Sequence, residues 1–247
     1  MSRVLADYVE PPRACSYLPG RQASHRVRVL SRVSVAEHEA MLHRGWRHQG
    51  IVYFRPQCEA CLACVGLRLR VDRFVATRSQ WRARRRCARF RVTLQAPVVD
   101  AERLELYHRW HAARETHHGW DPSPLATDEY LAQFAFPHPA ARELTFHDGD
   151  RLVAVGIHDV SPGIWSAVYF FFDPAIARLS PGIANVMFSV EIARTCGIPY
   201  VYLGYRVEGC AVMRYKGLFG PHELLVDRPG EQDEPEWQPQ AAAIIGE

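Results

Sequence analysis

The stretch Val201-Tyr-Leu-Gly-Tyr-Arg-Val-Glu-Gly-Cys-Ala-Val-Met-Arg-Tyr-Lys-Gly-Leu-Phe-Gly-Pro-His-Glu-Leu-Leu225 decides how the rest of this 247-residue chain is read. An apolar, β-favouring run from Tyr200 to Leu203 breaks at Gly204, and the spacing from Glu208 suits a short helix ending near Gly220. A strand that ends in glycine and feeds a helix turns backbone N–H groups and side chains into one crevice. Into it the chain gathers Tyr202, Tyr205, Arg206, Glu208, Arg214 and Lys216, a set able to hold an anion and move a proton. The plainer reading of the same residues is a buried strand packed on an amphipathic helix.

Upstream, Ser180-Pro-Gly182 opens a helix that runs to Thr195 and stops at Gly197, and Asp173-Pro174 ends a strand over Ile164 to Phe172. Before that strand, Glu143 to Val160 reads as a hairpin with Asp148-Gly149 at its turn. Hairpin, long strand, helix, strand, helix, strand is the order of an α/β fold of the N-acetyltransferase-like (GNAT-like) type, in which the central strands splay apart to admit an acyl donor. Further upstream lie a short helix over Thr127 to Phe136 and a long amphipathic one from Asp100 to about Gly119, with Leu104, Tyr107 and Trp110 on its apolar positions. His108, His111, His117 and His118 lack an accompanying carboxylate pattern and read as surface or supporting residues.

The boundary read at Gln95-Ala-Pro-Val-Val-Asp100 separates a smaller α+β domain, residues 1–97, from the GNAT-like domain, 98–227. Within the first, Ser34-Val-Ala-Glu37 is a capping box that starts a helix to Arg44, with Gly45 as its stop. A strand over Gln49 to Pro56 then delivers the chain into Cys58-Glu-Ala-Cys61-Leu-Ala-Cys64. Two C-x-x-C steps sharing a cysteine place three thiols in one loop, a spacing found in iron–sulfur and zinc ligation; Cys15 is the candidate fourth ligand. The alternative is three reduced thiols packing a tight turn. Cys87, Cys196 and Cys210 read as small buried hydrophobes.

After a strand over Val65 to Val71, Thr77-Arg-Ser-Gln80 is a second capping box, opening a helical segment Arg78 to Arg91. Arg78, Arg82, Arg85 and Arg89 fall at steps of four, three and four and so share a face. No acidic residue interrupts the run, as it would on an ordinary solvated helix, so the face reads as a phosphate-tracking surface. Trp81 either stacks on a base or packs inward.

Composition narrows the class. The 48% hydrophobic content supplies a core, and a net charge of +3 is too small to imply nucleic acid by itself, so local distribution decides. Of the 30 basic residues all but Lys216 are arginine. Seven cysteines, with Asp7, Glu10 and two prolines where a signal peptide would have an apolar core, predict a reducing cytoplasm with free or metal-binding thiols. No apolar run approaches the roughly 20 residues of a membrane span. The acidic, proline-rich segment 228–247 is expected to be a flexible tail.

Taken together, Cys15-Ser-Tyr-Leu-Pro19, Tyr53-Phe-Arg-Pro56 with Cys58, Cys61 and Cys64, Arg78-Ser-Gln80, Phe171-Phe-Asp-Pro174, Tyr200-Val-Tyr-Leu-Gly-Tyr205 and Met213-Arg-Tyr-Lys216 resemble the bacterial aspartate/glutamate leucyltransferases of the arginyl-tRNA–protein transferase family. The resemblance implies transfer of leucine from leucyl-tRNA to proteins or peptides whose N-terminus is Asp or Glu, marking them for degradation. DNA and membranes are not expected partners. It also implies an iron–sulfur cluster or zinc at Cys15, Cys58, Cys61 and Cys64, and no cofactor required for the transfer itself. An activated ester and an α-amine of pKa about 7.7–8.0 need alignment, oxyanion stabilisation and modest base assistance more than a nucleophilic side chain. On that basis Asp173 or Glu208 accepts the amine proton and Tyr202 or Tyr205 donates to the leaving oxygen. Arg206, Arg214 and Lys216 are candidates for the acceptor's acidic side chain. Arginyl-tRNA as donor, an acyl-CoA N-acetyltransferase, and a non-catalytic RNA-binding cysteine module are the alternatives.

Overall fold

A computed structural model describes residues 3–118, 122 and 124–242, with the side chains of His117 and His118 outside the described set. The chain opens with β1 (Arg3–Val9), the short ribbon β2 (Arg13–Ala14) and β3 (Gln22–Ala23), then β4 (His25–Arg32). Helix α1 (Val35–His43) follows, and then β5 (Arg47–Gln49) and β6 (Val52–Pro56). The capping box forms as expected: Ser34 Oγ accepts the Glu37 N–H at 3.2 Å, and the Ser34 N–H donates to Glu37 Oε2 at 3.0 Å. Strands β1, β4, β6 and β5 make a four-stranded antiparallel sheet in that order.

Next come β7 (Cys64–Arg70), α2 (Arg78–Arg86), β8 (Arg91–Gln95), α3 (Ala101–His118), α4 (Thr127–Tyr130), the hairpin β9 (Ala141–Asp148) and β10 (Arg151–Val160), and β11 (Ile164–Phe172). The chain ends with α5 (Pro181–Thr195), β12 (Tyr200–Val207), α6 (Ala211–Arg214), β13 (His222–Leu225) and β14 (Trp237–Gln240). The larger sheet has the order β14-β13-β7-β12-β11-β10-β9-β8. Its one parallel pair is β11 with β12, which needs a crossover, and α5 supplies it. Helices α2 and α5 cover one face, burying Met187, Val190 and Phe188 against Val201, Leu203, Ala154 and Phe146. On the other face α3 buries Leu106 and Tyr107 on Leu152, Val155 and Phe171, and α1 sets Leu42 on Ile164 and Tyr202.

Four expectations change. The division at residue 97 cuts through one sheet, because β7 and β8 are hydrogen-bonded between and beside strands from the second half. Segment 228–247 is not wholly a tail: β14 pairs with β13, and the Trp237 Nε1–H reaches the His43 carbonyl at 3.2 Å. The arginine-rich helix ends at Arg86, followed by one 3-10 turn, and Arg91 already belongs to a strand. Finally, Gly204 does not end its strand. β12 runs through it to Val207 with a register shift against β7 between Tyr202 and Gly204, and the glycine's φ of +82° accommodates that bulge.

Candidate functional site

β11 and β12 are hydrogen-bonded only from Ile164–Ser166 to Tyr200–Tyr202, although both strands continue well beyond. Past Ser166 and Tyr202 they part, leaving a wedge whose facing strand edges carry no ladder. Arg47, at the start of β5, enters this wedge: Nη1 donates to Ser166 Oγ at 2.8 Å and Nη2 donates to the Ala167 carbonyl. Burial lowers its pKa, but a guanidinium stays charged. From the other side the Lys216 Nζ donates to the Tyr205 carbonyl at 3.1 Å.

The two cations meet at the bulge glycine. A Cβ on Gly204 would lie 3.3 Å from Lys216 Nζ and 3.6 Å from Arg47 Cζ, so a side chain here is disfavoured by crowding as well as by φ. Among the described residues neither cation has a carboxylate within ion-pair distance. Desolvation first, and then the charge of Arg47, pull the Lys216 ammonium down to about 7. The strands thus part around two cations that make no direct ion pair, Arg47 feeling the charge of the buried Asp159 only from a distance.

The other expected site residues are dispersed. Arg206 and Glu208 pair with each other, Glu208 being largely exposed, and Arg206 stands over Gly217 beside the wedge. Arg214 is exposed on α6. The Tyr205 hydroxyl lies near enough to Arg47 to feel its charge, and donates to the Gly45 carbonyl at 2.7 Å. That of Tyr202 lies 2.6 Å from His43 Nδ1 and accepts from Arg68 at 3.2 Å. Burial drives both phenols far above their ordinary pKa, so each is a fastener between sheet and α1 region rather than a free acid. Asp173 sits at the far end of β11: Oδ1 accepts the Ala175 N–H at 2.9 Å, capping a 3-10 turn, and Oδ2 is held by Arg151, with Arg109 3.8 Å away. A carboxylate so fully used is poorly placed as a base.

On α2, Arg78, Arg82 and Arg85 are exposed and share a face. Arg89 lies beyond the helix and is bound by Asp148 at 2.9 Å, so the hairpin turn supplies the acidic partner that the local run lacks. Arg84 turns inward to Glu191 and stacks 3.7 Å over Phe188. Trp81 is 43% exposed beside the three free arginines, which decides between its two readings in favour of an outward ring.

Cys15 does fold back on the cysteine loop: Cys15, Cys58, Cys61 and Cys64 line one cavity of about 140 Å³. Cys15 Sγ accepts the N–H groups of Tyr17 and Leu18, both at 3.4 Å. Arg228, from the segment expected to be free, donates to the Cys58 carbonyl at 2.9 Å and to that of Cys61. Burial, reinforced by the neighbouring thiols, pushes Cys64 up to about 11. The four sulfurs are the right donor type for an iron–sulfur cluster or zinc, but among the described residues only three histidines, and no set of three cysteines, bring their ligand atoms within 4.8 Å of one another. Of the remaining cysteines, Cys87 and Cys210 are buried as expected, but Cys196 is exposed at the end of α5. His108 and His111 are packing residues, the latter stacked on Tyr107 at 4.1 Å and bonded to Tyr169 Oη at 2.9 Å.

Sequence reasoning missed Arg47 and Ser166, which stand in no run or motif. It also missed a buried polar cluster, His38, His48, His138, Tyr53 and Asp159, assembled from four separate elements and loops. No helix among the described residues is long and apolar enough to cross a membrane.

Comparison with known proteins places these features. The family described as "Arginine-tRNA-protein transferase, C terminus" matches residues 102–226, and its N-terminal counterpart matches residues 13–82. Proteins named aspartate/glutamate leucyltransferase are similar over nearly the whole chain. That of Aeromonas hydrophila is 35% identical over 87% of this chain and 90% of its own, and that of Polynucleobacter necessarius is 33% identical over 89% of each. The Helicobacter hepaticus protein is 29% identical over 95% of this chain and 98% of its own. Among solved structures, L-PGS from Bacillus licheniformis superposes with a TM-score of 0.43 at 12% identity, over 63% of this chain and 52% of its own, too distant to carry weight.

Proposed function

Because the chain belongs to the arginyl-tRNA–protein transferase family, we propose that it moves leucine from leucyl-tRNA to the α-amine of proteins that begin with Asp or Glu, marking them for degradation in the cytoplasm. The observation that carries the acceptor side of this reading is the pair Arg47 and Lys216 at Gly204, neither of them in a direct ion pair. A carboxylate side chain laid between them gains two charge-assisted contacts and draws a proton onto Lys216, whereas a basic N-terminal residue meets two like charges.

In this reading the larger sheet works as an acetyltransferase-like acyl-donor fold. The unpaired N–H groups of β11 and β12 past the fork are oxyanion donors for the ester carbonyl, already oriented and needing no reorganisation. Of the two candidate bases, Glu208, exposed and paired only with Arg206, is the one left to take the amine proton, since Asp173 is engaged by Arg151 and the Ala175 N–H. The leaving ribose hydroxyl is protonated from solvent or from the amine itself, since both tyrosine hydroxyls are spent in the interior. Arg78, Arg82 and Arg85 grip RNA phosphates, and Trp81 offers a stacking surface. A cluster or zinc, if bound, is held by Cys15, Cys58, Cys61 and Cys64 and would brace the N-terminal layer.

The test is a transfer assay with labelled leucyl-tRNA or arginyl-tRNA against peptides beginning with Asp, Glu, Lys or Arg. Leucine is expected on the Asp and Glu peptides alone. Transfer of arginine instead, or equal transfer to all four peptides, overturns the assignment, and retention on immobilised coenzyme A with no transfer points to acyl-CoA chemistry.

A further inference from the structure

The buried cluster behind the wedge has no role in the transfer just described. One ring nitrogen from each of His38, His48 and His138 lies within 4.8 Å of the other two. Asp159, itself buried, faces them: its Oδ1 is 2.8 Å from His48 Nε2 and its Oδ2 is 3.6 Å from His38 Nε2. The first distance is a hydrogen bond; the second is too long for one. Three atoms are left buried and without a partner: His38 Nε2, Asp159 Oδ2 and His48 Nδ1. Orphans of this kind are rare in a folded interior, and an ion between His38 Nε2 and Asp159 Oδ2 would engage two of the three.

Two ligands each about 2.1 Å from one ion stand at most about 4.2 Å apart, which suits the 3.6 Å gap between His38 and Asp159. The surroundings orient the rings for it. The Ala140 N–H donates to His138 Nδ1 at 3.2 Å, so His138 presents Nε2–H to the Tyr53 hydroxyl at 3.0 Å. Tyr53 Oη is also 2.8 Å from His38 Nδ1 and can accept from both rings, its own proton turning toward the groove it lines. With an ion bound, His38 would carry its proton on Nδ1, donated to Tyr53, and ligate through Nε2 beside Asp159. His48, protonated on Nδ1, can do the same. A small cavity lined by His48, His138, Asp159 and Gln133 has room for about one water-sized guest.

The geometry points to a second metal site: His38, His48 and Asp159 bind one divalent transition-metal ion of the zinc or iron(II) class, with water in the small cavity and with Tyr53 and His138 as outer supports. Each neutral ring ligates through Nε2 and keeps its one proton on Nδ1, so binding needs at most a shift of the ring proton from Nε2 to Nδ1 and no redox step. The site shares no ligand with the four cysteines and stands whether or not the chain transfers leucine.

The test uses the full chain carrying C58S and C61S, so that the thiol site is removed, dialysed against zinc and assayed for bound metal. One zinc per chain is expected, and cobalt(II) in its place should show ligand-field bands without thiolate charge transfer. H38Q, H48Q or D159N should each weaken binding at least a hundredfold, and H138Q on the order of tenfold. No retained metal in the cysteine variant means that a buried water fills the gap and overturns the proposal. So does unchanged binding in H48Q or D159N. Should those variants not fold, the cobalt spectrum of the cysteine variant still decides.

Discussion

Lys216 and Arg47 act through charge held in a poorly hydrated place, and each gives a distinct outcome on replacement. Lys216→Met should reduce transfer to Asp-starting peptides on the order of a hundredfold, and Arg47→Lys similarly, because a single ammonium cannot hold both Ser166 and Ala167 as the fork does. Lys216→Met should also stabilise the fold. A lysine pulled down to about 7 binds fewer protons folded than unfolded between there and its ordinary value. Its burial cost is therefore fully present below pH 7 and relieved as pH rises toward about 10.4. The Tm advantage of the variant should be larger at pH 6 than at pH 9, and an equal gain at both would show that Lys216 is not desolvated. Tyr205→Phe should cost about 1 kcal/mol through the lost bond to Gly45, while transfer is kept. At this scale the sequence was a partial guide. Lys216 stood out as the only lysine, but Arg47 is one arginine in many and becomes special only because β5 carries it into the fork.

Helix α2 shows how far local pattern reaches. Its capping box is real, with Thr77 Oγ1 accepting the Gln80 N–H at 3.3 Å, and Gln80 also donates to the Leu218 carbonyl at 3.0 Å, tying the helix to the segment that carries Lys216. The arginine face was legible by counting, but the partner of Arg89 was not, since Asp148 arrives from another element. Replacing Arg78, Arg82 and Arg85 together by alanine should flatten the log–log salt dependence of tRNA binding by about 3, measured by filter binding across a salt series. Arg89→Ala should change it less. Gly204 illustrates the opposite failure: a glycine in a strand-like run signals either a stop or a bulge, and only the pairing with β7 separates them.

Across the whole molecule, the ends of the chain matter more than their composition suggests. Trp237 stacks on Arg68 at 4.2 Å, and Arg228 braces the cysteine loop. Trp237→Ala should destabilise by about 2–3 kcal/mol in denaturant titration, less than a fully buried tryptophan because the ring is partly exposed. Polarity and prolines made the 228–247 segment look mobile; a single indole and one guanidinium reverse that, and neither stands out in a run of acidic residues.

The place of β7 sets a timetable for biosynthesis. This strand is made early, yet both its neighbours, β12 and β13, come from residue 200 onward. A growing polypeptide therefore emerges with this strand bare along both edges until β12 and β13 have been made, its backbone open meanwhile to wrong pairing.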